Sequence, residues 1–442
     1  MTAVAVDDLT LKVAHLLRRA GFGAGNEAVE AAAGQGLVAT VEALLADADP
    51  PQPLIPPGQE GDFAGLKPVK GIRDLQLLWL QRMVETPSPL QEKLTLFWHN
   101  HFATADSKVN NRLLMGRQND CFRSRGFGAF ADLLLAVSRD PAMLIWLDGN
   151  ANHKRAPNEN YAREVMELFT LGIGNYTEAD VHAGAQAFTG WHVHDGEFVF
   201  QDNDHDHSLK TYLGHTGDLD GTDAVAILAS HPATARWIST KLWRWFAYAN
   251  PEPVVIDDLA AVYLNSNGNI RSVLRALFLH DAFYSEAAPT GQIKNPAEFV
   301  VQSLRALNQK ADMAAVAALG HMGMELFNPP NVAGWPGGLV WVNAATLLAR
   351  FNWANRLVLA MGNPAADDDI SLAQLAQLAG LTVPTRMLDY WLGRLGNQQL
   401  SEASRTAVLG YVGDAATTVR QLITKHRQCL HAVLSAPEYQ LN

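Results

Sequence analysis

Six of the fifteen histidines fall between residues 182 and 215: His182, His192, His194, His205, His207 and His215. Neutral imidazole is a ligand for zinc, iron, copper and nickel, so this density points first to metal ligation. The plainer alternative is a hydrophilic excursion rich in His and Asp. His192 and His194 lie two apart in an alternating segment, Trp191–Phe200, that turns on Asp195-Gly196, a strong hairpin signal. Both imidazoles therefore project from one face of a strand, opposite Trp191 and Val193. That face could hold an ion or simply meet solvent. Asp202-Asn-Asp204-His-Asp206 resembles the first half of a calcium loop, but its sixth position is His207 rather than Gly and its twelfth is Leu213 rather than Glu, which excludes an EF-hand.

Two other segments carry candidate ligands. His99-Asn100-His101 sits in a helical pattern opened by Ser88-Pro89, with Gln91 three residues after the Ser cap. Residues two apart on a regular helix diverge by about 200°, so a shared ion requires the helix to fray near Phe102-Ala-Thr104. The competing reading makes Trp98, His99 and Phe102 core and His101 a satisfied buried imidazole. Glu164 and Glu167, three apart on a helix, share a face. Inward-facing Glu and His on helix pairs can build carboxylate-bridged metal sites; otherwise the two acids are solvated beside Arg155 and Arg163.

The elements that must position these groups are mostly helices. Helical periodicity covers Leu9 to Ala20, two short helices within 26–47 broken near Gly34-Gln-Gly36, and segments near 107–124, 128–138, 159–171, 177–189, 232–248, 255–265 and 268–279. It continues near 295–308, 311–320, 343–361, 371–379, 384–395, 400–412 and 416–435. The fold class is mainly α: one multi-helical globule with a small β-hairpin near residues 190–200. An N-terminal helical segment, 1–48, joins the main body, 67–442, through a Pro/Gly-rich connector, 49–66.

With 34 basic and 45 acidic side chains, the 442-residue chain carries a formal charge of −11, which argues against nucleic-acid and anionic-membrane partners. Apolar residues at 48% and charged residues at 18% exclude a disordered protein. Cys121 and Cys429 fit neither a disulfide framework nor a zinc ribbon. No stretch approaches the ~20 apolar residues of a membrane span, and Asp7-Asp8 interrupts what a secretory leader would keep apolar, so the expected location is the cytoplasm. Nucleophile-elbow, Walker, dinucleotide-binding and His-Glu-x-x-His motifs are all absent from the sequence.

A string of longer motifs remains: His15-Leu-Leu-Arg-Arg19-Ala-Gly21-Phe-Gly23, Phe97-Trp-His99-Asn-His101-Phe102, Asp140-Pro-Ala-Met143-Leu, and Asn158-Glu-Asn-Tyr-Ala-Arg163-Glu164 running to Gly172. Phe188-Thr-Gly190-Trp191, Lys210-Thr-Tyr-Leu213-Gly214, His231-Pro232-Ala-Thr-Ala and Asn328-Pro-Pro-Asn331-Val-Ala-Gly334-Trp335-Pro336-Gly337-Gly338 complete it. Over roughly Leu9 to Asn355 the chain resembles the large bacterial family catalogued as domain of unknown function 1800. The resemblance implies no activity, but it ranks the histidines. His99, His101, Glu164, Glu167 and His205 fall on motif positions, whereas His182, His192, His194 and His207 look peculiar to this chain. Many relatives look exported, unlike this chain, and the usual Gly-Gln before Leu-Phe-x-Pro-Pro appears here as Gly323-Met324-Glu325.

The resulting expectation is a metal-dependent enzyme acting on a small organic substrate, with oxidation favoured over zinc-dependent hydrolysis. The metal ligands would be His99, His101, Glu164 and His205, with Glu167 as a further ligand or as the acid–base group. Imidazole with carboxylate suits iron, manganese or zinc as the divalent cofactor, and copper less, because Glu is a hard ligand. Asn331 and Trp335 would face the substrate from a rigid Pro/Gly-rich loop; the alternative is a plug that packs Trp335 and Trp341 into the core. Two other readings are a non-catalytic binding or assembly protein, with Glu164 paired to Arg163 or Lys241 and His99 bonded to a backbone carbonyl, and glycan adhesion through exposed tryptophans. The leading reading requires imidazoles near 100 and 205 to meet the acid-bearing helix near 165.

Overall fold

The helix Pro89–His101 is the best place to enter the fold, because ten of its thirteen residues are buried. Pro89 supplies the pre-set first turn, although the Ser88 hydroxyl makes no capping bond, so the expected Ser cap is not used. The computed structural model describes residues 8–46, 53–55, 71–285, 291–360, 380–396 and 399–442. Within them nearly every regular element is a helix, and the strands form two small antiparallel hairpins. Most of the connector 49–66 and the expected helix 371–379 lie outside the described residues.

Buried side chains form two large apolar clusters, and Pro89–His101 feeds both: Leu94, Phe97 and Trp98 enter one, Leu96 the other. The first cluster gathers the helices from Phe130–Ser138 to Ile270–Leu279. The second gathers Ile72–Glu85, Pro296–Ala306, Met313–His321, Pro384–Arg394 and Val419–Ser435. Several helix starts are fixed by side chains that satisfy the orphan first-turn amides. Thr177 with Asp180, Asp220 with Asp223 and Asn295 with Glu298 each make a reciprocal capping box.

Charge is buried at the hub. Glu92, on one side of the helix, accepts from Arg123 Nε at 2.7 Å and Nη2 at 3.0 Å, and from the Trp79 indole at 2.9 Å. Its neighbour Lys93 meets Glu298 at 2.7 Å with almost no solvent exposure on either side. The Lys93 ammonium also donates to the carbonyls of Gly21 and Arg18, closing the end of the helix Asp8–Ala20. One ammonium thus ties three helices together.

Three local departures from the sequence reading have clear causes. The helix near 107–124 is interrupted: Asp106–Val109 ends at Asn110 in the left-handed region, and Asn111 caps Arg112–Arg125, two roles to which Asn is suited. The helix opened at Glu159 leaves the α geometry after Glu164 and continues as a π-helical stretch, Val165–Thr170. A second hairpin, Lys210–Tyr212 with His215–Gly217, turns on Leu213-Gly214, both at positive φ. The first hairpin pairs Trp191 with Phe200 through His194 with Glu197 and turns on Asp195-Gly196, again both at positive φ. The Asp-Gly turn was readable in advance; the Leu-Gly turn carries no comparable signal. No single helix among the described residues is long and apolar enough to cross a membrane.

Breaking one side of the buried pair leaves an uncompensated charge. Glu298→Gln is therefore expected to lower unfolding stability by about 3–5 kcal/mol, measured by urea denaturation. The double change Lys93→Met with Glu298→Leu should recover only part of that loss, because the Gly21 and Arg18 carbonyls and the Asn295 amide lose their partners.

Candidate metal centre

His99 and His101 point to different places, as their spacing on a helix dictates. The His99 Nε2 accepts the backbone N–H of Phe327 at 3.0 Å, and its ring lies among Trp79, Phe327 and Trp335. Phe327 is held in the left-handed region, with φ 62°. Its carbonyl takes the Asp106 amide at 2.8 Å, and Gln76 donates to the neighbouring Leu326 carbonyl. His99 thus clamps a strained turn. The bonded backbone group is an N–H rather than a carbonyl.

The imidazole of His101 is packed against Phe97, Trp98 and Phe102 and donates through Nε2 to the Phe169 carbonyl at 3.0 Å. That carbonyl belongs to the π-helical stretch, whose last carbonyls need outside partners. Leu168, Phe169 and Leu171 receive theirs from Trp237, His101 and Asn175. The stretch near 100 does reach the stretch near 165, but through a main-chain bond. Burial pushes the pKa of His99 down to about 3, and burial with the Lys241 charge does the same for His101. Both rings are neutral.

Glu164 and Glu167 are neighbours, as expected, at the junction of α and π geometry. Partial burial, then the Glu167 charge, raises the pKa of Glu164. Glu167 accepts from the Tyr176 hydroxyl at 2.7 Å. Arg163 turns away to Glu159 and Glu178. Among the described residues, two groups of three His, Cys, Asp or Glu place their ligand atoms within 4.8 Å of one another, and neither includes His99, His101, Glu164 or Glu167. The four-ligand centre expected from the sequence does not assemble: His99 and His101 point apart and each commits Nε2 to backbone, while His205 groups with other residues.

His205 is the expected ligand that does enter such a group, with His207 and Asp218. Its ring is buried and seated with Nδ1 on the Thr189 carbonyl at 2.9 Å, which leaves Nε2 as the nitrogen able to accept an ion. Thr189 precedes Gly190, which has φ 80°; a β-carbon there would lie 2.7 Å from the Gln201 carbonyl oxygen and 3.2 Å from His205 Cβ. Only glycine lets the first hairpin close this tightly on the His205 segment. The rings of His205 and His207 meet edge-on at 4.7 Å. Asp218 Oδ2 is 3.3 Å from His207 Nδ1, and its Oδ1 takes the buried Lys210 ammonium at 3.4 Å. Lys210 is fixed in turn on the Ser208 carbonyl at 2.8 Å. Hydrogen bonds behind the first ring of side chains set ring and carboxylate orientation in metal sites, and these have that form.

The second group is His153, His192 and Asp204. His192 and His194 share a strand face, yet His192 is buried against Asp204 while His194 is exposed beside Asp195. The sequence reading set His192 and His207 aside as peculiar to this chain, and it never reached His153 or Asp218. The density of His and Asp between 182 and 218 was the signal available for His192, His207 and Asp218; His153 lies outside that window and carries no such signal.

Trp335 and Asn331 do not form a stacking platform. Trp335 is 7% exposed, and its backbone N–H donates to the Asn100 side-chain oxygen at 2.7 Å. Gly334 packs so closely on Asn100 that a β-carbon would sit 2.4 Å from its carbonyl oxygen. Asn331 is exposed and caps its own turn through the Ala333 amide. With Trp341 also buried, this run is a plug in the core.

The family profile described as "Protein of unknown function (DUF1800)" matches residues 15–441. The chain belongs to that family. No match was found among curated proteins or among solved structures. The segments Phe188-Thr-Gly190-Trp191 and Lys210-Thr-Tyr-Leu213-Gly214 lie within the matched residues and supply the Thr189 carbonyl, the Gly190 turn and the Lys210 ammonium that frame His205 and Asp218.

Two outcomes follow from this geometry. The unfolded chain takes up protons on His99 and His101 below about pH 6.5, while the folded chain does so only near pH 3. Each therefore removes about 1.4 kcal/mol of stability per pH unit of acidification across that window. Urea denaturation from pH 6.5 to 4 should show a slope flatter by one such increment in His101→Leu than in the wild type. Gly190→Ala should cost about 1–3 kcal/mol, and a nitrogen-15 spectrum should show His205 displaced from Thr189.

Proposed function

We propose that this protein is a metal-dependent enzyme that oxidises a small organic substrate, with its ion held by His205, His207 and Asp218. The observation that supports the reading is the grouping of His205 with His207 and Asp218; the Thr189 carbonyl occupies Nδ1 of His205, so Nε2 is the nitrogen left to bind an ion. Two imidazoles and one carboxylate are the donor set of non-haem iron oxygenases, and the same set accepts manganese or zinc. A bound redox ion would supply the electron transfer. The chain's own residues orient it: Lys210 steadies Asp218 through Oδ1 and leaves Oδ2 toward His207. Half-exposed His207 and Asp218 leave one side of the ion open to water or substrate. A zinc ion in the same place would instead polarise water or a carbonyl.

A second reading, a non-catalytic binding or assembly protein, is favoured by the backbone bonds of His99 and His101, which give those residues structural work. Metal analysis separates the two. Chain purified without a His tag and dialysed against Fe2+ or Zn2+ should lose one ion equivalent in His205→Ala and in Asp218→Asn, and none in Glu164→Gln. Oxygen uptake by the Fe2+-loaded chain over a panel of small organic substrates should fall at least about 100-fold in His205→Ala. Equal ion content in wild type and both ligand variants would overturn the reading.

A further inference from the structure

The group His153, His192 and Asp204 differs in kind from the one just described. Its members come from three separate chain segments: the loop after the 3-10 turn Gly149–Ala151, the first strand of the first hairpin, and the 3-10 turn Asp202–Asp204. Asp204 Oδ2 lies 2.5 Å from His153 Nδ1 and 2.9 Å from His192 Nε2, and the two rings sit 5.3 Å apart. His192 is buried behind the carboxylate and His153 is half-exposed in front, so an ion could enter from solvent without opening the core.

The surrounding backbone is already set. Asn150 clasps the hairpin by accepting from the Val193 amide at 2.6 Å and donating to the Val193 carbonyl at 3.4 Å. Lys154 donates its amide to the Asp204 carbonyl at 3.2 Å and its ammonium to the Asn203 carbonyl, which keeps that positive charge off the Asp204 carboxylate.

We infer that His153, His192 and Asp204 form a second site for a divalent transition-metal ion of the zinc class, fastening the 149–157 loop to the first hairpin. Each ring would turn its carboxylate-facing nitrogen into a lone-pair donor, its N–H exchanging through solvent to the other ring nitrogen, so both imidazoles stay neutral ligands. Three protein ligands leave one tetrahedral position for water. Asp204 and His205 are consecutive, yet their ligand atoms fall in different groups. The two groups are therefore separate ion positions.

The test uses the full chain, with Zn2+ as the probe, in a His207→Ala background that disables the first site through an exposed residue. Titration calorimetry should find one zinc equivalent in His207→Ala and none once His153→Ala is added; His153 is itself exposed, so folding is spared. Trypsin cleavage after Lys154 and Arg155 should slow at least about tenfold with zinc in His207→Ala and not in the double variant. Equal zinc binding by the two variants, or a trypsin rate indifferent to zinc, overturns the inference. A wild-type chain that loads one ion, lost with His153→Ala but not with His205→Ala, would instead sink the oxidative reading and leave this one standing.

Discussion

The fold depends on two opposite charges set side by side in the middle of a buried helix. Glu92 and Lys93 are consecutive, so they leave Pro89–His101 in different directions and each must find its own partner out of water. Arg123 and Trp79 answer one; Glu298 and the carbonyls closing Asp8–Ala20 answer the other. An unpaired charge at such depth costs several kcal/mol, so neighbouring helices can dock only where these partners arrive. The two apolar clusters meet along this helix, which is why its polar residues are so densely engaged.

The same constraint explains which chemistry was legible in the sequence. His99 and His101 carry a ligand-like spacing, yet on a mostly buried helix each commits its Nε2 to a main-chain group of a neighbouring segment. Backbone demand of that kind leaves no trace in residue type. Glu164 and Glu167 were placed correctly as neighbours, but the π-helical stretch that follows them is set by tertiary packing and not by periodicity. Trp335 reads as an exposed platform only if the Asn100 side chain that anchors its amide is invisible. His205 was legible through the Lys-Thr-x-Leu-Gly motif downstream, whereas His153 joins its group from forty residues away in the chain.

Helices and the Asp-Gly hairpin were accessible because their signals are local: apolar spacing, capping residues and a turn that needs two positive φ values. The family resemblance and the mainly α reading survive for that reason. The second hairpin escaped because Leu213 adopts a left-handed conformation without the Asn or Asp that usually announces one. It presents Lys210 toward Asp218, so the missed turn is also part of what frames the candidate centre.

Phe327 shows how a local compromise can become fixed. A glycine there would relax the main chain, since left-handed geometry carries no steric penalty without a β-carbon. It would also remove the ring that fills the aromatic box between Trp79 and His99 and leave a void. Any larger side chain keeps the torsional burden and must still match the box. Sequence drift at this position is therefore trapped: no single replacement improves one quantity without worsening the other, and escape would need Trp79 or His99 to change in the same step.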